Sequence, residues 1–356
     1  MTVLFFLAGL AFLILGAEML VRGSSRIALA SGIPPLAVGL TIVAFGTSSP
    51  ELAVSLKAAL SDQASIAVGN VIGSNIFNVL FILGLSALVI PLVVSQQLVR
   101  LDVPLMIALS AIVLLLSIDG SLSRIDGVAL VTGLALYIGY QIYQARKSNG
   151  AAGEELVTLV GSAASTRYAW AVNPSLVIGG LVLLVLGSRW FVDSAVVFAS
   201  YLGISELVIG LTIVAAGTSM PEVVTSVIAA IRGETDIAVG NVVGSNIFNI
   251  TAVLGLAGVV APGGIDISPA VSSFDIPVMI AVAVACLPIF FTGGVISRAE
   301  GALLLAYYVA YTVYLLMAAS HHDALSGFGA VMLYFVIPLT AATLVVVALR
   351  ELRSRR

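Results

Sequence analysis

The sequence predicts an all-α, polytopic membrane protein built from two inverted five-helix repeats, ten spans in all, with an eleventh span at the C-terminus. Three observations predict it. The 356 residues are 60% hydrophobic and 9% charged, with a mean hydropathy of +1.17, whereas soluble domains carry about 25% charged residues. Apolar runs of about 20 residues, the length that crosses a bilayer as a helix, recur along the whole chain. Two phrases in the first half return, nearly unchanged, in the second.

The apolar runs fall at roughly 3–21, 34–60, 64–92, 101–118, 126–145, 172–192, 204–231, 236–261, 274–293, 299–319 and 327–349. The first is followed by no cleavage-site pattern and reads as a retained helix rather than a signal peptide. The repeated phrases set the grouping. GLTIVAFGTSSPE (39–51) matches GLTIVAAGTSMPE (210–222) at 11 of 13 positions, and IAVGNVIGSNIFN (66–78) matches IAVGNVVGSNIFN (237–249) at 12 of 13, both at an offset of 171. The similarity continues more weakly: DVPLMIA (102–108) echoes DIPVMIA (275–281), and Ser123-Arg124 with Gly127 echoes Ser297-Arg298 with Gly301. The unit is therefore five helices, used twice: residues 1–147 with its most strongly repeated segment at 39–80, and residues 172–320 with the matching segment at 210–251. Residues 148–171 form a polar linker too short for a regulatory domain, and 327–356 supply the extra span and a basic tail.

Because five is odd, the second copy enters the bilayer from the opposite face. This is the plan of many secondary transporters, whose substrate site lies at the repeat interface near the midplane. Charge counting points the same way. With the N-terminus outside, twelve basic residues fall on inner segments, including Arg100, Arg146, Lys147, Arg232, Arg298 and the RELRSRR tail. Only Lys57, Arg124 and Arg189 stay outside. That asymmetry agrees with the positive-inside rule and predicts a multi-pass protein of the cell membrane with a cytoplasmic C-terminus.

The chemistry concentrates in the repeated phrases. Glu51 and Glu222 each lie about midway along an apolar run, with no Lys or Arg within five residues. A carboxylate at that depth is costly without a partner, so each is either protonated or neutralised by a cation. The neighbours favour a cation. Pro50 and Pro221 lack an N–H and act as helix breaks, depriving the carbonyls of Gly46 and Gly217 of their helical bonds and loosening the turns around Ala44, Thr47, Ala215 and Thr218. Such carbonyls must be buried in protein or line a cavity. Thr47, Ser48 and Glu51 share a helix face, as do Thr218, Ser219 and Glu222. The predicted result is an all-oxygen cage of charge −2, the environment that hard cations such as Ca2+ accept and softer metals, which prefer thiolate or imidazole, do not.

The second phrase adds small residues and amides. Gly69 with Gly73 and Gly240 with Gly244 are GxxxG pairs suited to close helix approach. Asn70, Ser74 and Asn78 form a polar stripe at i, i+4, i+8, repeated by Asn241, Ser245 and Asn249. Ser74 and Ser245 are the stronger ligand candidates of these stripes. Asp102 and Asp275 stand at helix starts and read as N-caps, Glu18 ends the first helix, and the single Cys286 reads as a small core residue.

At these phrases the chain resembles the calcium/cation antiporter superfamily, specifically the compact prokaryotic sodium/calcium exchangers. GTSSPE with GNVIGSNIFN and GTSMPE with GNVVGSNIFN carry the resemblance, over about 320 residues of five-plus-five layout. It implies that Glu51 and Glu222 bind Ca2+ and share in Na+ binding, and that the carbonyls of Thr47 and Thr218 complete the Ca2+ site. It implies Na+ positions at Ala44, Ser48 and Ser74 in one half and Ala215, Ser219 and Ser245 in the other, with Asn78 and Asn249 at the centre. Asn249 is a departure: some members, including K+-dependent relatives, carry aspartate there. Proton-driven members place a further glutamate after the Asn of the second phrase, where this chain has Val71-Ile72 and Val242-Val243. The expectation is Na+/Ca2+ exchange, with movement of the first and sixth helices switching access. No cofactor, enzymatic activity or nucleic-acid partner is expected; the partners are the two ions and the bilayer. A proton-coupled Ca2+ exchanger is the alternative, and a cation channel or an intramembrane protease are more distant ones. Oligomeric state has no signature in the sequence.

Overall fold

A computed structural model describes residues 1–31, 33–61, 63–159, 167–203, 213 and 215–354. The first repeat runs α1 (Thr2–Ser31), α2 (Pro35–Thr47), α3 (Ser49–Leu60), α4 (Ser65–Val89) and α5 (Leu98–Leu116), then α6 (Arg124–Leu159). The second runs α7 (Arg167–Tyr201), a short turn Ala215–Gly217, α8 (Met220–Ile231), then α9 (Thr235–Val260), α10 (Val271–Phe291) and α11 (Arg298–Ala319). A last span, α12 (Leu325–Val347), follows. Among the described residues nine helices are long and apolar enough to cross a membrane, and the bent pair α2–α3 makes a tenth. The span expected at 204–231 lies partly outside the described residues. The expected linker 148–171 is partly taken up by the extensions of α6 and α7; 160–166 lie outside the description.

The helices α1 and α7 show how the two halves are related. Helices in lipid gain little from hydrophobic contact with each other, so close backbone approach carries more of the packing. Gly9 lies against Gly187 and Phe191, Gly16 against Gly180 and Leu184, and Gly23 against Asn173 and Val177. Residue numbers rise on one helix as they fall on the other, so the pair is antiparallel. Gly180 and Gly187 are the copies of Gly9 and Gly16 at the offset of 171, so each contact is the image of another under one two-fold axis across the helices. The repeats are inverted, as their odd helix number requires.

The short strands obey the same relation. Leu92–Val93 of the first repeat pairs antiparallel with Val295–Ile296 of the second, and Ser121–Leu122 pairs with Ile265–Asp266. Arg124 Nε donates to the Ala261 carbonyl at 3.1 Å and Arg298 Nη2 to the Val89 carbonyl at 3.3 Å. Each guanidinium meets the C-terminal end of the other half's central helix, where a positive charge is favourable.

At the centre, α4 and α9 are mostly buried, whereas no residue of α12's apolar window is buried. The last span attaches through Tyr307, whose hydroxyl donates to Thr340 Oγ1 at 2.7 Å and to the Val336 carbonyl at 3.4 Å. Three sequence expectations change here. Asp102 and Asp275 do not cap helices with their side chains, because α5 and α10 begin earlier, at Leu98 and Val271. Asp102 instead accepts from Tyr137 Oη at 3.2 Å and Gln141 Nε2 at 2.9 Å, and Asp275 from Tyr311 Oη at 2.9 Å. Glu18 does not end a helix: α1 continues to Ser31, and Glu18 pairs with Arg22 and with Arg232 of the second repeat. Cys286 is buried, as expected.

Candidate functional site

The GTSSPE and GTSMPE phrases break their helices two residues before the proline. Ser48 (φ −78°, ψ 5°) separates α2 from α3, and Ser219 (φ −87°, ψ 9°) precedes α8. The α2–α3 bend is 46°. Pro50 and Pro221 therefore lie in the first turn of the second half-helix, where a missing N–H leaves no bond unmade. Glu51 and Glu222 share that first turn, at the positive end of the helix dipole, which favours a carboxylate. The carbonyls expected to be free are not free: the Gly46 carbonyl accepts from Ser49 Oγ at 2.7 Å and the Gly217 carbonyl from Ser188 Oγ at 2.7 Å. The serine hydroxyls replace the helical bonds that the prolines remove.

Both glutamates are fully buried, and each is held by the opposite repeat. Ser219 Oγ donates to Glu51 Oε1 at 2.8 Å, and Ser48 Oγ donates to Glu222 Oε1 at 3.0 Å. Ser219 Oγ also lies 3.2 Å from Ser74 Oγ, so Ser74 joins the group through the other half's serine. Thr47 Oγ1 donates to Asn241 Oδ1 at 3.0 Å, linking the halves again. Ala44 is buried against the Gly244 backbone. Ala215 opens the turn Ala215–Gly217.

What remains is oxygen with nothing to bond. Glu51 Oε2, Glu222 Oε2, Asn78 Oδ1, Asn249 Oδ1, Thr218 Oγ1 and Ser245 Oγ are all buried and have no hydrogen-bond partner among the described residues. Isolated buried acceptors are unfavourable, and two carboxylates at membrane depth are more so. Carboxylate, amide and hydroxyl oxygens drawn from both repeats make a donor set suited to hard cations, Ca2+ among them. Among the described residues no group of three or more His, Cys, Asp or Glu occurs, so the two glutamates supply the anionic charge of this set.

The polar stripe divides in two. Asn78 and Asn249 stand at the centre, each opening a π-helical turn, Asn78–Leu83 and Asn249–Leu254, a feature frequent at functional sites. Asn70 and Asn241 serve the neighbouring helices: Asn70 Nδ2 donates to Ser55 Oγ at 2.9 Å and to the Glu51 carbonyl at 3.2 Å, and Asn241 Nδ2 to Ser226 Oγ at 2.9 Å. The GxxxG pairs also differ. Gly240 and Gly244 pack on Leu36 and Leu40, whereas Gly69 and Gly73 meet no described atom within 4 Å. The copies of Leu36 and Leu40 are Leu207 and Leu211, outside the described residues. Asn75 and Asn246, passed over in the sequence, are buried beside the centre; their signal was present as one more identity inside GSNIFN at the same offset.

A bent, inverted-repeat membrane protein with paired buried carboxylates and unmatched oxygens at the repeat interface is, as a class, a cation antiporter. The chain belongs to the sodium/calcium exchanger protein family, whose model matches residues 1–143 and 172–317. It is 39% identical over 320 residues to the putative antiporter CaxA of Alkalimonas amylolytica, covering 89% of this chain and 98% of that one. It is 35% identical to the sodium/calcium exchanger MaX1 of Methanosarcina acetivorans, covering 88% and 97%. The inner membrane protein YrbG of Escherichia coli is 41% identical, covering 78% and 85%. A solved structure of the sodium-calcium exchanger NCX_Mj, soaked with zero Na+ and Ca2+, superposes with a TM-score of 0.75 at 31% identity, covering 88% of this chain and 98% of that one. The chain is a multi-pass integral membrane protein and a transporter, not an enzyme.

Proposed function

We propose that this antiporter exchanges Na+ for Ca2+ by alternating access, exporting Ca2+ as Na+ runs inward, with the N-terminus outside and the C-terminus cytoplasmic. One observation carries the reading: two buried glutamates, each fixed through Oε1 by the other repeat's serine, keep Oε2 unpartnered, and the repeated phrases that hold them also keep buried, unpartnered oxygens on Asn78, Asn249, Ser245 and Thr218. In this reading Glu51 and Glu222 hold Ca2+, with the carbonyls of Thr47 and Thr218 completing its shell. Ser48, Ser74, Ser219, Ser245 and the Ala44 and Ala215 turns share Na+, and Asn78 and Asn249 lie between the sites.

Ca2+ and Na+ compete for these oxygens, and an unloaded site leaves two carboxylates uncompensated. The protein then switches access only when loaded, which is what couples the two fluxes. The α1–α7 pair lies outside the oxygen set and is the body whose displacement opens one face or the other. The absence of a further glutamate after Asn70 and Asn241, which are followed by Val71-Ile72 and Val242-Val243, argues for Na+ over H+ coupling, since the resemblance implies such a glutamate in proton-driven members.

The test is 45Ca2+ uptake into liposomes loaded with Na+, against liposomes loaded with K+ or choline, each with and without a pH gradient. Uptake that requires internal Na+ supports the reading. Uptake driven by a pH gradient alone overturns Na+ coupling, and uptake with no counter-ion at all overturns antiport.

A further inference from the structure

The amide oxygens of Asn78 and Asn249 can serve a cation only if those amides are prevented from turning. An amide has a donor end and an acceptor end, and turned round it would point an N–H at the ion. In each half one bond fixes the choice, and its acceptor comes from the opposite half. Asn249 Nδ2 donates to Asn75 Oδ1 at 3.1 Å, and Asn78 Nδ2 donates to Asn246 Oδ1 at 3.0 Å. Asn78 Oδ1 and Asn249 Oδ1 are thereby left buried and unpartnered.

Asn75 and Asn246 cannot turn either. Asn75 Nδ2 donates to the Asn246 carbonyl at 3.3 Å and lies 3.6 Å from Met279 Sδ. Asn246 Nδ2 donates to the Asn75 carbonyl at 3.2 Å and lies 3.5 Å from Met106 Sδ. Turned round, either amide would set its oxygen against a carbonyl and a thioether and its N–H against another N–H. We infer that Asn75 and Asn246 are positioning residues: a two-fold-related network of four amides, joined at its centre through the Asn75 and Asn246 backbone carbonyls, that orients the Asn249 and Asn78 carbonyl oxygens of the opposite repeat toward the cation. Both ends of each positioning amide are engaged within this network. The network also makes each half's oxygen depend on the other half.

This inference rests on the proposed cation role of Asn78 and Asn249, and a double-mutant cycle tests it separately. The variants are N75A, N249A and N75A/N249A, with N246A, N78A and N246A/N78A as the symmetric cycle. The crossed pairs N75A/N78A and N246A/N249A are the comparison. The readouts are the Ca2+ concentration for half-maximal uptake, the maximal rate, and the thermal midpoint of the purified protein.

Loss of one such buried hydrogen bond predicts an increase in half-saturation of about fivefold to tenfold for N75A. N75A/N249A should then be no worse than N249A, within about twofold, because Asn75 acts only through Asn249. The crossed pairs should multiply. If the alanine variants do not accumulate, Asn75→Thr and Asn246→Thr replace them; a hydroxyl that accepts from the partner amide should bring half-saturation part of the way back to the wild-type value. Multiplying effects in N75A/N249A, or a lowered thermal midpoint with unchanged half-saturation, overturn the inference and leave the amide network as packing. Absence of ion-driven Ca2+ flux in the wild-type chain would instead refute the exchange reading, which is a different outcome.

Discussion

The tight α1–α7 contact allows a prediction whose size can be worked from atoms. A Cβ added at Gly16 would lie 2.8 Å from both the Gly180 carbonyl oxygen and the Leu184 nitrogen, and one added at Gly180 would lie 2.7 Å from the Gly16 oxygen and the Leu20 nitrogen. Carbon reaches its best van der Waals separation at about 3.5–4.0 Å, so Gly16→Ala must drive the helices apart by roughly 0.7 Å or more. The neighbours are backbone atoms, so no rotamer change relieves the clash. Overpacking of this kind costs about 1–3 kcal/mol. The variant should unfold at a lower temperature, and Ca2+ uptake should lose maximal rate while half-saturation stays unchanged, because no residue of the cation site is touched. Gly16→Ala with Gly180→Ala should cost less than the sum of the two, since one opening relieves both clashes. Gly139→Ala on α6, with no described atom within 4 Å, is the control and should be neutral or slightly stabilising. A Gly16→Ala protein as stable and as fast as the wild type would refute the claim that backbone contact holds this pair together.

Glu51→Gln and Glu222→Gln each remove half the anionic charge of the site. Two unit charges 4 Å apart interact by about 4 kcal/mol at an effective dielectric of 20, and Ca2+ carries twice the charge. Each variant should therefore lose exchange by at least about a hundredfold in reconstituted uptake, and full transport by both would exclude the site. Lowering the pH should inhibit uptake by protonating the same carboxylates, and raising Ca2+ should restore it, because proton and cation compete for the same oxygens; inhibition that Ca2+ does not relieve would place the protons elsewhere. Truncation before Leu325 should leave Na+-dependent uptake intact. The last span contributes no buried residue to its apolar window and is tied on through Tyr307 to Thr340 and Val336; loss of exchange in the truncated protein, still folded by its thermal transition, would assign that span a role.

The fold was legible because the bilayer limits the choices. Apolar runs of spanning length must be helices, and an odd-numbered repeat must invert, so composition and the offset of 171 fixed the architecture. Helix ends were less legible. The early start of α5, at a π-helical turn Leu98–Asp102, is marked by Ser95, whose Oγ accepts from the Leu98 N–H at 3.5 Å; that cap was passed over, and so Asp102 was read as a cap when it is a buried acceptor for Tyr137 and Gln141. The prolines announced a break correctly, but the sequence did not reveal that Ser49 and Ser188 would take the freed Gly46 and Gly217 carbonyls. Ser49 is local, whereas Ser188 arrives from α7, 29 residues away.

The same limit explains why the candidate oxygens could be picked out in the sequence while the contacts they make across the halves could not. A helical wheel places Ser48 with Glu51 and Ser219 with Glu222, each set within its own half. Inversion crosses them: Ser219 holds Glu51, Ser48 holds Glu222, and Thr47 meets Asn241. Periodicity within one repeat cannot report a contact made across the two-fold axis. The two-fold axis makes several contacts between residue i of one half and residue j of the other recur between the copies of i and j, although Thr47 meets Asn241 while its copy Thr218 keeps a free hydroxyl among the described residues. The paired bonds of Asn75 and Asn246 show this recurrence almost to the distance, 3.3 and 3.2 Å. In an inverted repeat, a polar residue identical in both copies and lacking a partner within its own helix is therefore a candidate for pairing across the axis. Asn75 and Asn246 met that description in the sequence, and their position beside the unpartnered Asn78 and Asn249 oxygens follows from the axis rather than from the helix on which they lie.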